Sequence, residues 1–158
     1  MRYVAASRWS LLPQFTITDQ AGAPVFDVRH SPGLRRQLSI RDQTGREVAV
    51  IRKRGMGSRY EILLGGAEAG EVRHQGVFGQ RYQADSGSGP ITAEGSFTGR
   101  NYALSRHGQP VATVVRERAL REKLTVDIAD GEDQVFVLAV VMAIDAIRED
   151  RSRAAGGG

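Results

Sequence analysis

The chain of 158 residues contains no cysteine. Disulfides, cysteine-ligated zinc and thiol nucleophiles are therefore excluded, and packing alone must hold the fold together. The first fifteen residues lack the uninterrupted apolar stretch of a secretory signal. No apolar run reaches the roughly twenty residues that a membrane-spanning helix needs. We therefore expect a cytoplasmic protein without a transmembrane span, either free or peripheral at a membrane.

The sequence also lacks a catalytic or metal-binding constellation. His30, His74 and His107 lie in separate predicted hairpins, so no pair has a spacing that one strand or helix could use to ligate a metal. No serine sits in a nucleophile elbow. The glycine-rich segment 65–70 is not followed by the Lys-Ser/Thr of a phosphate loop. We predict a protein that is not an enzyme, with no catalytic residues, no metal and no cofactor.

The composition is that of a globular domain, with 41% apolar and 25% charged residues. Its nineteen glycines indicate many tight turns. Short β-prone runs alternate with these turns about every ten residues, and no connection is long enough for a parallel crossover. The sequence therefore predicts about twelve antiparallel strands, at residues 3–7, 15–19, 24–28, 37–41, 46–51, 60–64, 70–73, 82–85, 91–97, 101–105, 110–115 and 123–128.

The pattern changes after Gly131. Residues 132–148 contain no turn residue, and the apolar run 135–144 is too long for a typical strand. Glu132 and Asp133 at its start, with arginines at its end, complement a helix dipole. We predict a helix at about 132–150. Because this helix is apolar on all sides, protein or lipid must surround it, and its length favours protein.

The strands and the helix together favour one architecture. A barrel of about twelve strands leaves an interior that must be filled, and an all-apolar helix needs an apolar lining on every side. The sequence thus predicts a mainly β fold, a closed antiparallel barrel around a buried C-terminal hydrophobic helix. We expect one domain over residues 1–150, followed by a disordered tail at 151–158.

Basic residues concentrate in the second quarter of the chain. Between Leu34 and Arg59 there are eight basic residues and two acids, whereas residues 127–150 are mainly acidic. Guanidinium groups match phosphate geometry, so the cluster is a candidate anion or lipid-headgroup site, although a solvated strand face would look the same. Nucleic acid is disfavoured, because no recognition helix or exposed aromatic series accompanies the charge. The candidate residues are Arg35, Arg36, Arg52, Lys53, Arg54 and Arg59.

Asp145 interrupts the apolar helix. A buried, unpaired carboxylate is costly, so Asp145 should either emerge at the barrel mouth or pair with an arginine inside. We predict a structural role in which this acid fixes the register of the helix. No second acid or histidine is placed with it by the sequence, which argues against proton transfer.

The hairpin series, the segment 126–147 ending in Ala143-Ile144-Asp145, and the basic-then-aromatic segment 52–62 resemble the LURP-one-related family. This family belongs to the tubby C-terminal-like superfamily, which also includes phospholipid scramblases. The resemblance covers the chain up to about Asp150 and implies a twelve-stranded barrel around a helix. It also implies a non-enzymatic binding or scaffold module whose specific role the resemblance does not give. Because tubby domains of the superfamily bind phosphoinositide headgroups through basic residues on the barrel surface, we expect anionic phospholipid headgroups as its ligand. The alternative is a subunit that docks a partner protein and has no lipid role.

Overall fold

A computed structural model of the chain describes residues 1–8, 14–31, 36–55, 58–76, 81–95, 101–118 and 122–156. The predicted end of one strand, at residues 96 and 97, falls outside these ranges. Twelve strands and one helix follow in chain order: β1 (Arg2–Arg8), β2 (Gln14–Thr18), β3 (Pro24–Ser31), β4 (Gln37–Asp42), β5 (Glu47–Lys53), β6 (Arg59–Leu64), β7 (Ala67–His74), β8 (Arg81–Ala84), β9 (Ile91–Gly95), β10 (Asn101–Arg106), β11 (Gln109–Arg118), β12 (Glu122–Ile128) and α1 (Gln134–Gly156).

The strands form a closed antiparallel barrel. Each strand pairs with its neighbours in sequence, and β12 pairs with β1 from Arg2 opposite Asp127 to Ala6 opposite Lys123. Closure leaves none of these twelve described strands with an unpaired edge. The predicted fold class, a mainly β barrel of twelve strands with a C-terminal helix, is confirmed.

Side-chain alternation decides which face of each strand lines the interior. In β4, Leu38 and Ile40 are buried, and in β12 the buried residues are Leu124, Val126 and Ile128. Successive side chains of a strand point to opposite faces, so these apolar positions share the inner face. The interior of the barrel is therefore lined by apolar side chains from all around the sheet.

Two of the turns are built in the same way. The carboxylate of Asp19 accepts hydrogen bonds from the backbone amides of Ala21 and Ala23, and that of Asp42 accepts from the amides of Thr44 and Arg46. Each turn contains a glycine at positive φ, Gly22 at 84° and Gly45 at 85°. A residue with a Cβ rarely adopts this conformation, so the Asp-x-x-Gly pattern specifies the turn.

The helix α1 fills the barrel. Asp133 caps its N-terminus by accepting a hydrogen bond from the amide of Phe136 at 3.0 Å. Its buried side chains occupy the continuous run 136–144 together with Ala146 and Ile147. The predicted burial of the apolar helix inside the barrel is confirmed.

The helix ends later than its sequence suggested. It continues to Gly156, so residues 151–156 are helical where we expected a disordered tail, and residues 157 and 158 lie outside the described ranges. Arg153 pairs with Glu149 one turn earlier at 2.6 Å, and both arginine and alanine favour helix. These local preferences carry the helix past the point where its buried face ends.

Candidate functional site

Charge is divided between the two ends of the barrel. Hairpins that join odd-numbered to even-numbered strands turn at one end, which the C-terminal half of α1 also reaches, and we call it the basic end. The opposite end, beside the N-terminus of α1, is the acidic end. The basic end carries Arg36, Arg52, Lys53, Arg54, Arg59, Arg81, Arg116, Lys123, Arg148, Arg151 and Arg153, against Glu61, Glu94, Glu117, Glu122, Asp145, Glu149 and Asp150. The acidic end carries Asp19, Asp42, Glu47, Asp127, Asp130, Glu132 and Asp133, against Arg2, Arg41, Arg46 and Arg106. Between these two groups lie Asp27, Arg29, Glu68, Glu71, Arg73 and Asp85, where Arg73 pairs with Asp85 at 3.0 Å and Glu68 lies 3.8 Å from Arg54.

Two of the predicted anion-binding residues hold the helix in place. Arg36 donates to Asp150 at 2.5 Å and to Glu149 at 2.7 Å. Lys53 donates to Asp150 at 3.1 Å, and the hydroxyl of Tyr60 donates to the same carboxylate at 2.6 Å. We call these five residues the helix clamp. It ties the C-terminal half of α1 to strands β5 and β6 and to the start of β4.

The other predicted cations lie on the outer surface. Arg52 donates to Glu61 at 2.7 Å, and Arg54 lies 3.6 Å from Glu61 and 3.5 Å from Glu71. Arg59 is exposed to solvent. Arg35 lies outside the described residues. The adjacent residues Arg52, Lys53 and Arg54 are thus divided between two faces of the strand, and the sequence cluster is not one site.

Asp145 forms an ion pair with Arg116 inside the mouth of the barrel. The side chain of Arg116 is only 7% exposed and that of Asp145 is 15% exposed. Arg116 also donates to Glu122 at 2.6 Å. Of the two predicted placements for Asp145, the structure shows a pairing with an arginine. Sequence reasoning did not identify Arg116, although Ala112, Val114 and Arg116 alternate along β11 and place it on the inner face.

A cavity of about 490 Å³ lies beside this ion pair at the basic end. Its lining is mainly charged and polar, and residues of α1 form much of it. The residues are Tyr82, Arg116, Glu122, Asp145, Arg148, Glu149, Arg151 and Ser152. No pattern in the sequence indicates this cavity, because its walls come from three strands and from the last turns of the helix.

The helix clamp makes stability depend on pH. Partial burial raises the pKa of the Asp150 carboxyl, but hydrogen bonds from Tyr60 and Lys53 and the charge of Arg36 outweigh burial and hold this pKa below its usual value. A lowered folded-state pKa contributes stability above the unfolded-state pKa, near 4, and that contribution is lost as the pH falls through the folded-state pKa. We expect Asp150→Asn to flatten the acid limb of a plot of unfolding free energy against pH below about 4.

Urea denaturation from pH 7 down to pH 2 measures this effect. The control variant is Asp130→Asn, which removes an acid from a turn at the acidic end, where its side chain forms no hydrogen bond or ion pair with any residue that the structure describes. Parallel acid limbs for wild type and Asp150→Asn would contradict a lowered pKa at Asp150.

Neither a metal site nor a membrane-spanning helix is present in the described parts of the chain. No group of three or more His, Asp or Glu side chains there is arranged to hold a metal ion. Within the same residues, no helix has the length and apolar content to cross a membrane.

The fold and the helix-filled interior define the class of the protein, a closed twelve-stranded barrel around a hydrophobic helix. The model of the LURP-one-related family matches residues 3–145, and the chain belongs to this family. A solved X-ray structure of a protein from Arabidopsis thaliana is similar, with a TM-score of 0.70 and 18% identity, covering 93% of this chain and 91% of that one. No curated protein matches the chain. Membership of the family suggests a non-enzymatic domain.

Proposed function

We propose that the protein is a non-enzymatic module that binds anionic phospholipid headgroups at the basic end of the barrel. The observation that supports this most directly is the separation of charge between the two ends. A protein with opposite charges at its ends is oriented by a negative surface, which attracts the basic end and repels the acidic one. The module would bind as a peripheral protein, with α1 enclosed in the barrel.

The cations of the basic end differ in their availability. Arg36 and Lys53 are committed to the helix clamp, and Arg52 to Glu61. Arg54 lies at distances of 3.5 Å or more from its acidic neighbours and is more than half exposed. Arg59 is exposed beside it. Arg54 and Arg59 are therefore the members of the predicted cluster that we expect to contact headgroups directly.

Removing these two cations should weaken membrane binding. Each basic residue near an anionic surface contributes about 1 kcal/mol, so Arg54→Ala with Arg59→Ala should reduce the partition coefficient roughly 30-fold. Co-sedimentation with vesicles of phosphatidylcholine plus phosphatidylserine measures the partition coefficient. Binding should also fall as salt is raised, because ions screen the attraction.

The matched control removes two cations from the acidic end, through Arg2→Ala and Arg46→Ala. It changes the net charge equally and should leave binding to the vesicles nearly unchanged. Equal losses in the two double variants would show that net charge alone governs binding. Wild-type binding to neutral phosphatidylcholine vesicles that matches binding to anionic ones would contradict the proposal.

Docking of a partner protein is the second candidate. It is favoured by the network of both signs on the outer surface, where Arg52 and Arg54 surround Glu61 and Arg54 approaches Glu71. Alternating charges suit a protein surface of complementary pattern better than a uniformly negative bilayer. This candidate predicts no binding to anionic vesicles. It also predicts a stoichiometric complex with a native partner that is disrupted by reversing the more exposed acids Glu68 and Glu71 to lysine.

A further inference from the structure

The cavity at the basic end contains a cation that no acid of the described chain neutralises. Each acid in its lining already has an arginine partner. Glu122 and Asp145 pair with Arg116. Glu149 pairs with Arg36 and Arg153, neither of which lines the cavity. Arg148 forms no ion pair with any described residue. Its guanidinium charge is therefore available to pair with a bound anion.

Arg148 is also short of a hydrogen-bond acceptor. Its Nη1 atom is inaccessible to solvent and has no partner among the residues that the structure describes. A guanidinium donor that is shielded from water and left without an acceptor is unfavourable, and an ordered water, an ion or a ligand can supply the missing acceptor. Arg41 and Arg106, at the acidic end, also have an unpaired Nε atom, so it is the position of Arg148 in the lining of a cavity that distinguishes it.

A second unsatisfied group lies beside it. Tyr102 is 8% exposed and does not itself line the cavity, and its buried hydroxyl has no partner within the described ranges. Burial raises the pKa of Tyr102, and the charges of Arg116 and Arg148, two residues of the cavity lining, act on the same hydroxyl in the opposite direction. The raised pKa keeps the hydroxyl protonated, so Tyr102 can donate a hydrogen bond to an anion that Arg148 attracts.

Three charged residues of α1 line the cavity in a row that runs along the helix axis. Asp145, Arg148 and Arg151 are spaced by three residues and so lie along one side of α1. The ion pair between Asp145 and Arg116 holds the inner end of this row, which leaves Arg148 and Arg151 nearer the opening. An anion that enters from the basic end would meet the two guanidinium groups first. The buried hydroxyl of Tyr102 lies behind the lining, within the electrostatic influence of Arg148 and Arg116.

We propose that this cavity is a binding site for a phosphate monoester, with Arg148 and Tyr102 as its principal donors. A phosphate group presents oxygens in several directions, and so it can accept from a guanidinium fork and from a separate hydroxyl at once. A carboxylate, with two oxygens in one plane, satisfies fewer of these donors. The volume of about 490 Å³ is within the range of about 300–1,000 Å³ that is usual for small-molecule sites.

This site is distinct from the headgroup-binding surface at Arg54 and Arg59. It lies inside the mouth of the barrel, and it needs no membrane. The phosphate could belong to a soluble ester or to the headgroup of a lipid, since both present the same terminal group.

Calorimetric titration of the full chain with glycerol 3-phosphate tests the proposal, with acetate at equal ionic strength as the comparison. We expect one binding event per chain for glycerol 3-phosphate and much weaker binding of acetate. Arg148→Gln and Tyr102→Phe should each weaken binding roughly tenfold or more, since each removes a hydrogen bond to a charged group.

The controls match the variants in chemistry. Arg153→Gln removes a cation from the same helix, but Arg153 is 69% exposed and lies outside the cavity. Tyr3→Phe removes a hydroxyl from a buried tyrosine at the acidic end, where that hydroxyl contacts the sulfur of Met1. Both controls should bind glycerol 3-phosphate like the wild type. Thermal unfolding provides a second readout, because Tyr102→Phe removes an unsatisfied hydroxyl and should keep or raise the midpoint of the ligand-free protein.

Binding of glycerol 3-phosphate no tighter than that of acetate would overturn the proposal. So would wild-type affinity in both Arg148→Gln and Tyr102→Phe. Competition by vesicles that contain phosphatidic acid would identify a lipid headgroup as the source of the phosphate, and its absence would identify a soluble ester. If vesicle binding depends on Arg54 and Arg59 but calorimetry detects no binding of glycerol 3-phosphate, the cavity proposal is wrong and the headgroup proposal is retained.

Discussion

Replacing Asp145 by leucine is expected to lower the free energy of unfolding by about 3 kcal/mol. The substitution leaves Arg116 in the mouth of the barrel with one acidic partner instead of two, and its side chain is only 7% exposed. Removing one member of a buried ion pair typically costs about 3–5 kcal/mol, because the remaining charge is left desolvated. The lower figure applies here since Glu122 still contacts Arg116.

A double variant separates the ion pair from the shape of the site. In Arg116→Met with Asp145→Leu, both charges are removed and apolar groups of similar volume occupy the space. We expect this double variant to recover most of the lost stability, because a buried pair can be replaced by packed apolar residues at little cost. Urea denaturation of the wild type, both single variants and the double variant completes the thermodynamic cycle.

The control for this cycle is an exposed ion pair. Glu94 pairs with Arg81 at 2.6 Å, but the Glu94 side chain is 64% exposed. Glu94→Leu should therefore change the free energy of unfolding by less than about 1 kcal/mol. An equal effect of Glu94→Leu and Asp145→Leu would show that burial of the Arg116 pair has no energetic consequence, and the structural role of Asp145 would be wrong.

Replacing Gly70 by alanine is expected to destabilise the protein by about 3 kcal/mol. A Cβ on Gly70 would lie 2.1 Å from the backbone oxygen of Asp85 and 3.2 Å from Cζ of Phe136. Neither neighbour can move away without losing contacts. The amide of Asp85 donates a hydrogen bond to the carbonyl of Glu71, and Phe136 belongs to the buried face of α1. The added methyl group must therefore displace strand β8 or the first turns of the helix.

Gly87 provides the comparison. A Cβ built there meets nothing within 4 Å, and Gly87 is not at positive φ. Gly87→Ala should stay within about 0.5 kcal/mol of the wild type. Thermal and urea unfolding of both variants measures the difference. Similar midpoints for Gly70→Ala and Gly87→Ala would mean that β7 does not approach β8 and the helix as closely as the structure shows.

The fold could be predicted from the sequence because its signals are local. Leu38 and Ile40 alternate with polar neighbours, Asp42 and Gly45 specify a turn, and the run 135–144 is too long and too apolar for a strand. Each of these features acts within about fifteen residues, and pairing between successive strands needs no further information. The end of the helix was misjudged because burial and helix propensity end at different residues, Ile147 and Gly156.

The candidate site could be predicted only in part because it depends on partners far apart in sequence. Lys53 meets Asp150 across 97 positions, and Arg36 meets the same acid across 114. Those partners are fixed by the depth of α1 in the barrel, which no local pattern encodes. The division of Arg52 from Lys53 follows from strand alternation and could have been inferred from buried Ile51, whose face Lys53 shares.

The pairing of β1 with β12 also determines when the barrel can close during folding. Arg2 and Asp127 are separated by 125 positions, so a growing chain holds an open sheet with free edges until residue 128 has been synthesised. Its interior then remains unfilled until the apolar run 135–147 follows. Contacts of such long sequence separation slow folding, and free edges can pair with other chains in the meantime. Until residues 135–147 follow, the free strand edges and the apolar lining of the interior are therefore open to contact with other chains.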